Sequence, residues 1–220
     1  MLEVATDQGG FVFWNHPGWV APTSGGLESG VPMSFTDEHE EVRKKGHLHG
    51  IEVFNDTSHY PIVSDWCNEL DLGPLAVSDI HQSELSMYGM QNPRRPITLV
   101  LAEDRTEEAI REAFFAKRTI GWVADMIFGR PEWVQKLFLA CIEVGTHRSP
   151  GGVRLLKNRG DIPMNLKIGD TDYELKPQGE IHVPVSSSNP GPPFIQVANW
   201  FVGTYKPLTV RYVSGEWQFG

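Results

Sequence analysis

The sequence predicts a mixed α/β protein of two domains, and three observations support that prediction. Strand-like and helix-like segments alternate between Phe11 and about Trp122, which is typical of parallel α/β units. From Val153 onward apolar residues recur with a period of two between turns rich in Gly, Pro, Asn and Asp. The 220 residues also suffice for two ordinary domains. The expected organisation is an α/β domain over 1–128, a connecting helix over 129–140 and a small antiparallel β-sandwich domain over 141–220.

The α/β domain opens with an apolar run, Phe11–Trp14, that predicts a buried strand. A polar helix follows over Asp37–Lys45, because Glu and Lys recur there at i, i+4 spacing and Gly46 ends the pattern. The next apolar run, Ile51–Phe54, predicts a partner strand. Pro61 then predicts the start of a helix whose apolar side chains recur at spacing four.

Further elements lead from this domain into the second. Leu75–Ser78 and Pro96–Leu101 predict strands, and Thr106 predicts the N-cap of a helix with two glutamates in its first turn. A short helix around Trp133 follows Pro131. The period-two region then holds six strand-like runs: Val153–Leu156, Met164–Ile168, Tyr173–Leu175, Ile181–Val185, Phe194–Val197 and Leu208–Val213.

Composition excludes several classes of partner. A formal net charge of -9 argues against general affinity for nucleic acid, because counterion release requires clustered Lys and Arg. A phosphate ester remains possible as substrate, since a bound cation can supply local positive charge. Cys67 and Cys141 lie far apart and predict buried free thiols rather than a disulfide framework or a zinc cluster. No run of about 20 apolar residues predicts a membrane span, and the first residues do not resemble a signal peptide.

Two short phrases carry the functional signal, and each follows the end of a predicted strand. They are Asn15-His16-Pro17-Gly18 and Ser78-Asp79-Ile80-His81. Asp79 and His81 are one residue apart, so on a strand they face the same side and can bind one ion or two neighbouring ions. His16 would supply a third ligand from a parallel strand nearby. The alternative is that these are polar turn residues whose side chains bond to the backbone.

Four segments together resemble a known family. Residues 13–19, 48–55, 78–81 and 95–100 are similar, in this order, to the carboxyl-terminal part of a PHP-domain metal-dependent phosphoesterase. The similarity is greatest to the bacterial phosphodiesterase type with a carboxyl-terminal β-rich domain, and relatives of this type are often exported. The resemblance implies a distorted seven-stranded α/β barrel that holds up to three divalent ions, Zn, Mn or Fe. It assigns His16, Asp79 and His81 as metal ligands that act in catalysis through the metal.

The chain also departs from the family pattern. A complete domain begins with a His-x-His motif and has further ligands before the His-Pro phrase, and this sequence has no counterpart of that region. The resemblance therefore implies a partial barrel whose amino-terminal strands are missing, with fewer ions and doubtful activity alone. Self-association, or a partner that covers the incomplete barrel, is expected because open strand edges are normally protected.

Other residues are weaker candidates. Glu52 is expected to hold the metal ligands in position without binding the ion, and the alternative is an ordinary buried hydrogen bond or salt bridge. Arg95 could meet a phosphate of the substrate, or be a surface arginine. Trp19 could stack on a substrate ring, or pack its loop down. His39 and His59 are expected to be exposed.

His47 and His49 precede their strand, so they are expected at the opposite rim, in a solvated turn. Two other functions stay open. The chain could be a non-catalytic remnant that acts as a binding module through its β-rich domain. It could instead be an independent metal hydrolase on a smaller α/β scaffold with other ligands.

Overall fold

A computed structural model of the chain describes residues 2–19, 34–81, 95–145, 153–184 and 194–220. The chain divides into two compact units, Met1–Ala124 and Asp125–Gly220. Within the described ranges no helix is both long and apolar enough to cross a membrane. The helix predicted over 129–140 is Pro131–Cys141, and it belongs to the second unit.

The first unit contains four described helices and six described strands. The helices are α1 Leu2–Asp7, α2 Asp37–Lys44, α3 Ile62–Glu69 and α4 Glu107–Phe115. The strands are β1 Phe13–Trp14, β2 Gly50–Asn55, β3 Ser58–His59, β4 Gly73–Val77, β5 Ile97–Val100 and β6 Thr119–Val123. Thr106 caps α4 as predicted, because its hydroxyl accepts from the N–H of Ala109 at 3.2 Å.

Strand β2 lies at the centre of a parallel arrangement. It pairs in parallel with β1, where Trp14 lies opposite Ile51, and with β4, where Asn55 lies opposite Val77. All six residues of β2 are buried. The carboxyl ends of parallel strands meet at one edge of a sheet, so residues that follow β1 and β4 lie at the edge where β2 ends.

A bulge interrupts β2. Glu52 pairs with Leu75 of β4 and Phe54 pairs with Ala76, so Val53 is an extra residue in the ladder. Side chains normally alternate along a strand, and the extra residue shifts that alternation by one position. Glu52 and Phe54 therefore occupy opposite faces rather than the shared face expected from strict alternation.

Strand β5 departs from the predicted series of parallel units. It pairs antiparallel with β6, where Val100 lies opposite Thr119. The hydroxyl of Thr98 donates to the carbonyl of Ala76 in β4 at 2.9 Å, and Thr119 adjoins Gly73 at the start of β4. These contacts make β5 run opposite to β4, so β5 starts at the edge where β4 ends.

The second unit is rich in β-structure. Its helix is α5 Pro131–Cys141. The strands are β7 Met126–Gly129, β8 Ile142–Gly145, β9 Val153–Asn158, β10 Met164–Ile168, β11 Thr171–Leu175, β12 Glu180–Pro184, β13 Ile195–Gly203, β14 Lys206–Val213 and β15 Glu216–Phe219. Val185, the predicted end of one strand, lies outside the described residues.

The strands of this unit form two groups. In one, β13 pairs antiparallel with β10 and β14 and parallel with β7, while β11 and β15 extend the outer edges. In the other, β9 lies between β12 and β8. Trp200 and Phe138 are almost fully buried, and the indole N–H of Trp200 donates to the carbonyl of Pro163 at 3.2 Å. These buried aromatic side chains help to stabilise the second unit, and the hydrogen bond leaves no unpaired indole N–H at Trp200.

Candidate functional site at the carboxyl ends of the parallel strands

His16 and Asp79 occupy matching positions in the first unit. His16 lies two residues after β1, and Asp79 lies two residues after β4. Both have left-handed backbones, with φ of 29° for His16 and 47° for Asp79. Such a conformation costs a residue other than glycine roughly 1–3 kcal/mol and is concentrated at functional sites. The predicted location of both residues at one edge of the sheet agrees with the strand pairing.

Glu52 anchors the turn that contains His16. The backbone N–H of His16 donates to Oε2 of Glu52 at 2.5 Å, and Nδ2 of Asn55 donates to the same oxygen at 2.9 Å. Glu52 is only 2% exposed, so these two bonds replace contacts with water. The bulge at Val53 allows Glu52 and Asn55, three positions apart, to share a face.

Burial and neighbouring charges shift the pKa values of Glu52 and Tyr60. Burial raises the pKa of the Glu52 carboxyl, and the charge of Asp79 raises it further, against the hydrogen bonds from His16 and Asn55. Burial also raises the pKa of Tyr60, with further contributions from Glu52 and Asp79. Two carboxylates and a phenol thus lie within mutual electrostatic reach, an environment that favours a nearby cation.

Asp79 and His81 are brought into contact. Nε2 of His81 lies 3.5 Å from Oδ1 of Asp79, and the side chains are 81% and 43% exposed, respectively. These are the two side chains that the one-residue spacing places on the same side. Imidazole and carboxylate are suitable ligands for a divalent transition metal.

The predicted ligands do not form a closed cage. Among the described residues, no group of three or more His, Cys, Asp or Glu side chains is arranged to hold a metal ion. Instead His16 is joined to Glu52, while Asp79 contacts His81. The donor types therefore suit a metal, but the described side chains meet in pairs.

Asn15 occupies one ring nitrogen of His16. Its Nδ2 lies 2.8 Å from Nε2 of His16, and an amide nitrogen can only donate, so Nε2 accepts this bond. A metal bound at Nε2 would need the same lone pair. Binding there would require the amide of Asn15 to turn away.

Two further candidates flank this edge. Arg95 is exposed and lies two residues before β5, at the end of β5 that faces the end of β4. Trp19 is 53% exposed, and its ring lies edge-on to that of His16 with a centroid distance of 5.1 Å. The N–H of Trp19 donates to the carbonyl of His16 at 2.9 Å and closes the turn.

Three histidines differ from the sequence expectation. His39 is half-buried and stacks on Trp14 at 3.9 Å, so the expectation of exposure is wrong. His59 is also half-buried, with its ring against that of Phe54. His49 lies before β2, at the opposite end from His16, but it is packed rather than solvated. Its Nδ1 accepts from the N–H of Val12 at 3.0 Å.

Sequence reasoning missed three residues of this edge: Asn15, Asn55 and Tyr60. Asn15 could have been found as the polar neighbour of His16. Asn55 could not, because strict alternation places it on the face opposite to Glu52. Tyr60 follows the short β2–β3 hairpin, which the sequence did not reveal, and its N–H donates to the carbonyl of Val53.

Comparisons with known proteins agree with the family resemblance. No protein-family model matches the chain, and no curated protein sequence matches it significantly. A crystal structure from Bacteroides vulgatus does match; it is a two-domain protein containing a predicted PHP-like metal-dependent phosphoesterase. The TM-score is 0.83 at 27% identity, over 100% of this chain and 64% of the other.

This similarity extends over both units of the chain, although the chain spans only 64% of the length of the other protein. It confirms the mixed α/β class, while the partial barrel and the β-sandwich stay predictions. Along its whole length the chain therefore shares the fold of a PHP-like two-domain protein, which confirms the resemblance to PHP-domain phosphoesterases predicted from its sequence.

Proposed function

We propose that this chain carries part of the metal-binding edge of a PHP-type phosphoesterase that hydrolyses phosphate esters or diesters. One observation supports this most strongly. His16 and Asp79 leave the two parallel neighbours of β2 in left-handed conformations, and buried Glu52 is coupled to both. The similarity to a protein with a predicted PHP-like metal-dependent phosphoesterase gives this edge its chemical interpretation.

In this proposal His16, Asp79 and His81 hold a divalent ion, which is Zn, Mn or Fe by analogy with the family. When bound, such an ion lowers the pKa of a coordinated water and stabilises the phosphoryl and leaving oxygens. Glu52 does not bind the ion. It fixes the backbone at His16, so that the imidazole is presented at the edge.

Within the described residues the proposed site is incomplete. The described residues bring one pair of proposed ligands, Asp79 and His81, into contact and form no group of three, so they provide at most one weak metal position, since affinity depends on the number and geometry of ligands. The chain also spans only 64% of its structural relative. We therefore propose that strong activity requires further metal ligands, supplied by self-association or by a partner. Arg95 is exposed at the end of β5 that faces the end of β4, and we propose that it contacts the phosphate.

The test combines metal analysis with turnover. Purified protein should bind Mn²⁺ or Zn²⁺ and release p-nitrophenol from bis-p-nitrophenyl phosphate in a metal-dependent reaction. The variants His16→Ala and Asp79→Ala should lose both properties. His182→Ala is a matched control, because this exposed histidine lies on β12 in the second unit. Unchanged metal binding in His16→Ala and Asp79→Ala would contradict the assignment.

A binding module is the second candidate function, and one feature of the second unit favours it. An open groove of about 520 Å³ is lined by Asn165, Leu166, Asp172, Tyr173, Glu174 and Ala198. Small-molecule sites have volumes of this order. If the protein bound no metal and showed no turnover, but bound a small molecule in the groove beside Tyr173, that result would favour this function over hydrolysis.

A further inference from the structure

Trp19 is fixed beside the candidate ligand His16 while much of its indole faces solvent. The turn holds it in place through the 2.9 Å bond from its N–H to the carbonyl of His16. Its ring contact in the described part of the chain is the edge-on one with His16, at 5.1 Å and 62°. Its exposure is 53%, which is high for such a large apolar side chain.

Other tryptophans of the same unit already pack this region. Trp14 and Trp66 stack almost in parallel, with centroids 6.0 Å apart, and His39 covers Trp14 at 3.9 Å. Phe35 packs edge-on against Trp66. Trp19 contrasts with this half-buried cluster, because 53% of its surface is exposed next to His16.

Charge limits what this edge can accept. Glu52 and Asp79 lie close enough to influence each other, so further anionic groups on a substrate would be repelled there. An uncharged ring adds no such repulsion. It can instead stack on an exposed indole, since every aromatic ring and nucleobase presents a π-face.

We propose that Trp19 is a stacking platform for a planar aromatic group carried by the phosphate ester, either a nucleobase or an aryl ring. This inference rests on the proposed function, because it assumes that the phosphate lies at His16. It narrows the proposed substrate class to phosphate esters whose organic part carries an aromatic ring that can reach Trp19 when the phosphate lies at His16.

Binding of three phosphate compounds tests the proposal. AMP and phenyl phosphate carry an aromatic group, whereas ribose 5-phosphate lacks one. With the full chain in Mn²⁺, titration calorimetry should give roughly tenfold tighter binding of the aromatic compounds, the effect expected from one stacking contact. Preference for AMP over phenyl phosphate would identify a nucleobase, and the reverse an aryl ring.

Variants separate stacking from a structural role. Trp19→Ala should remove the advantage of the aromatic compounds and leave the affinity for ribose 5-phosphate unchanged. Trp19→Phe should retain most of that advantage. Tyr205→Ala is the matched control, because this tyrosine is 74% exposed and belongs to the second unit. Circular dichroism checks that each variant is folded.

The outcomes distinguish this proposal from the one on which it depends. Equal affinities for AMP, phenyl phosphate and ribose 5-phosphate in the unmodified protein would overturn the role of Trp19 and leave the phosphoesterase proposal intact. An equal loss of affinity for all three compounds in Trp19→Ala would also overturn it, because that result indicates a structural role for Trp19. Failure of the unmodified protein to bind metal and any phosphate compound would overturn both proposals.

Discussion

The backbone N–H of His16 donates to Oε2 of Glu52 at 2.5 Å, which ties the turn after β1 to the interior of β2. The side-chain amide of Asn55 donates to the same oxygen at 2.9 Å. One buried carboxylate thus satisfies two donors from different parts of the chain. This arrangement positions His16, and its energetic consequences can be measured.

Glu52→Ala should destabilise the protein by roughly 1–3 kcal/mol, because it leaves the His16 N–H and the Asn55 amide without their acceptor. Glu52→Gln should cost much less, since a single amide oxygen can accept both bonds. Urea unfolding measures the difference. Glu174→Ala is a surface control and should change stability by less than about 0.5 kcal/mol. Equal losses for the Ala and Gln variants would contradict the anchoring role.

The left-handed backbone of His16 predicts a second effect on stability. Glycine adopts a positive φ without steric cost, whereas alanine does not. His16→Gly should therefore be more stable than His16→Ala by about 1 kcal/mol, although both remove the imidazole. Thermal unfolding of the two variants provides the comparison. A less stable glycine variant would show that the turn relaxes at this position.

In the proposed site, Asn15 would compete with the metal for Nε2 of His16. Asn15→Ala should strengthen Zn²⁺ binding by about fivefold, which corresponds to a hydrogen bond worth ~1 kcal/mol. Calorimetric titration of the variant and the unmodified protein measures the change. Weaker binding by Asn15→Ala would mean that the amide assists the ligand rather than competing with the metal.

His49 predicts a loss of stability in mild acid. Burial lowers the pKa of His49 below its ordinary value of 6.5, and its Nδ1 must stay unprotonated to accept from Val12. The folded chain therefore binds fewer protons than the unfolded chain. The stability that neutral His49 contributes is fully present above pH 6.5 and is lost as the pH falls from 6.5 to the folded-state pKa of His49.

The measurement is unfolding free energy at several pH values for the unmodified protein and for His49→Gln. Glutamine can still accept the bond from Val12 but does not titrate, so the variant should lose less stability between neutral and mildly acidic solution. Parallel curves for the two proteins would rule out the contribution of His49.

Several elements could be predicted because the local pattern determines them. Met164–Ile168 alternates apolar and polar side chains, and β10 has the predicted bounds, with Met164, Leu166 and Ile168 buried. The edge that contains His16 and Asp79 followed from two apolar runs, each ending before a polar phrase. A parallel pairing of such runs places those phrases together without any knowledge of side-chain contacts.

Other features depend on contacts that the sequence does not encode locally. The bulge at Val53 exists only in relation to the partner strand β4, so alternation along β2 cannot reveal that Glu52 and Phe54 occupy opposite faces. An apolar run such as Ile97–Val100 has no intrinsic direction, and the antiparallel course of β5 was not foreseen. His39 looked exposed on a polar helix because Trp14, which covers it, lies 25 positions earlier.

The most direct test of the central claim is a Zn²⁺ titration followed by NMR signals of the imidazole rings. The chain has eight histidines, so each ring serves as a probe or an internal control. We predict that the signals of His16 and His81 shift first and saturate together, while those of His47, His49 and His182 stay unchanged. Shifts confined to His47 and His49, or no shift at any histidine, would contradict a metal-binding edge at the ends of β1 and β4.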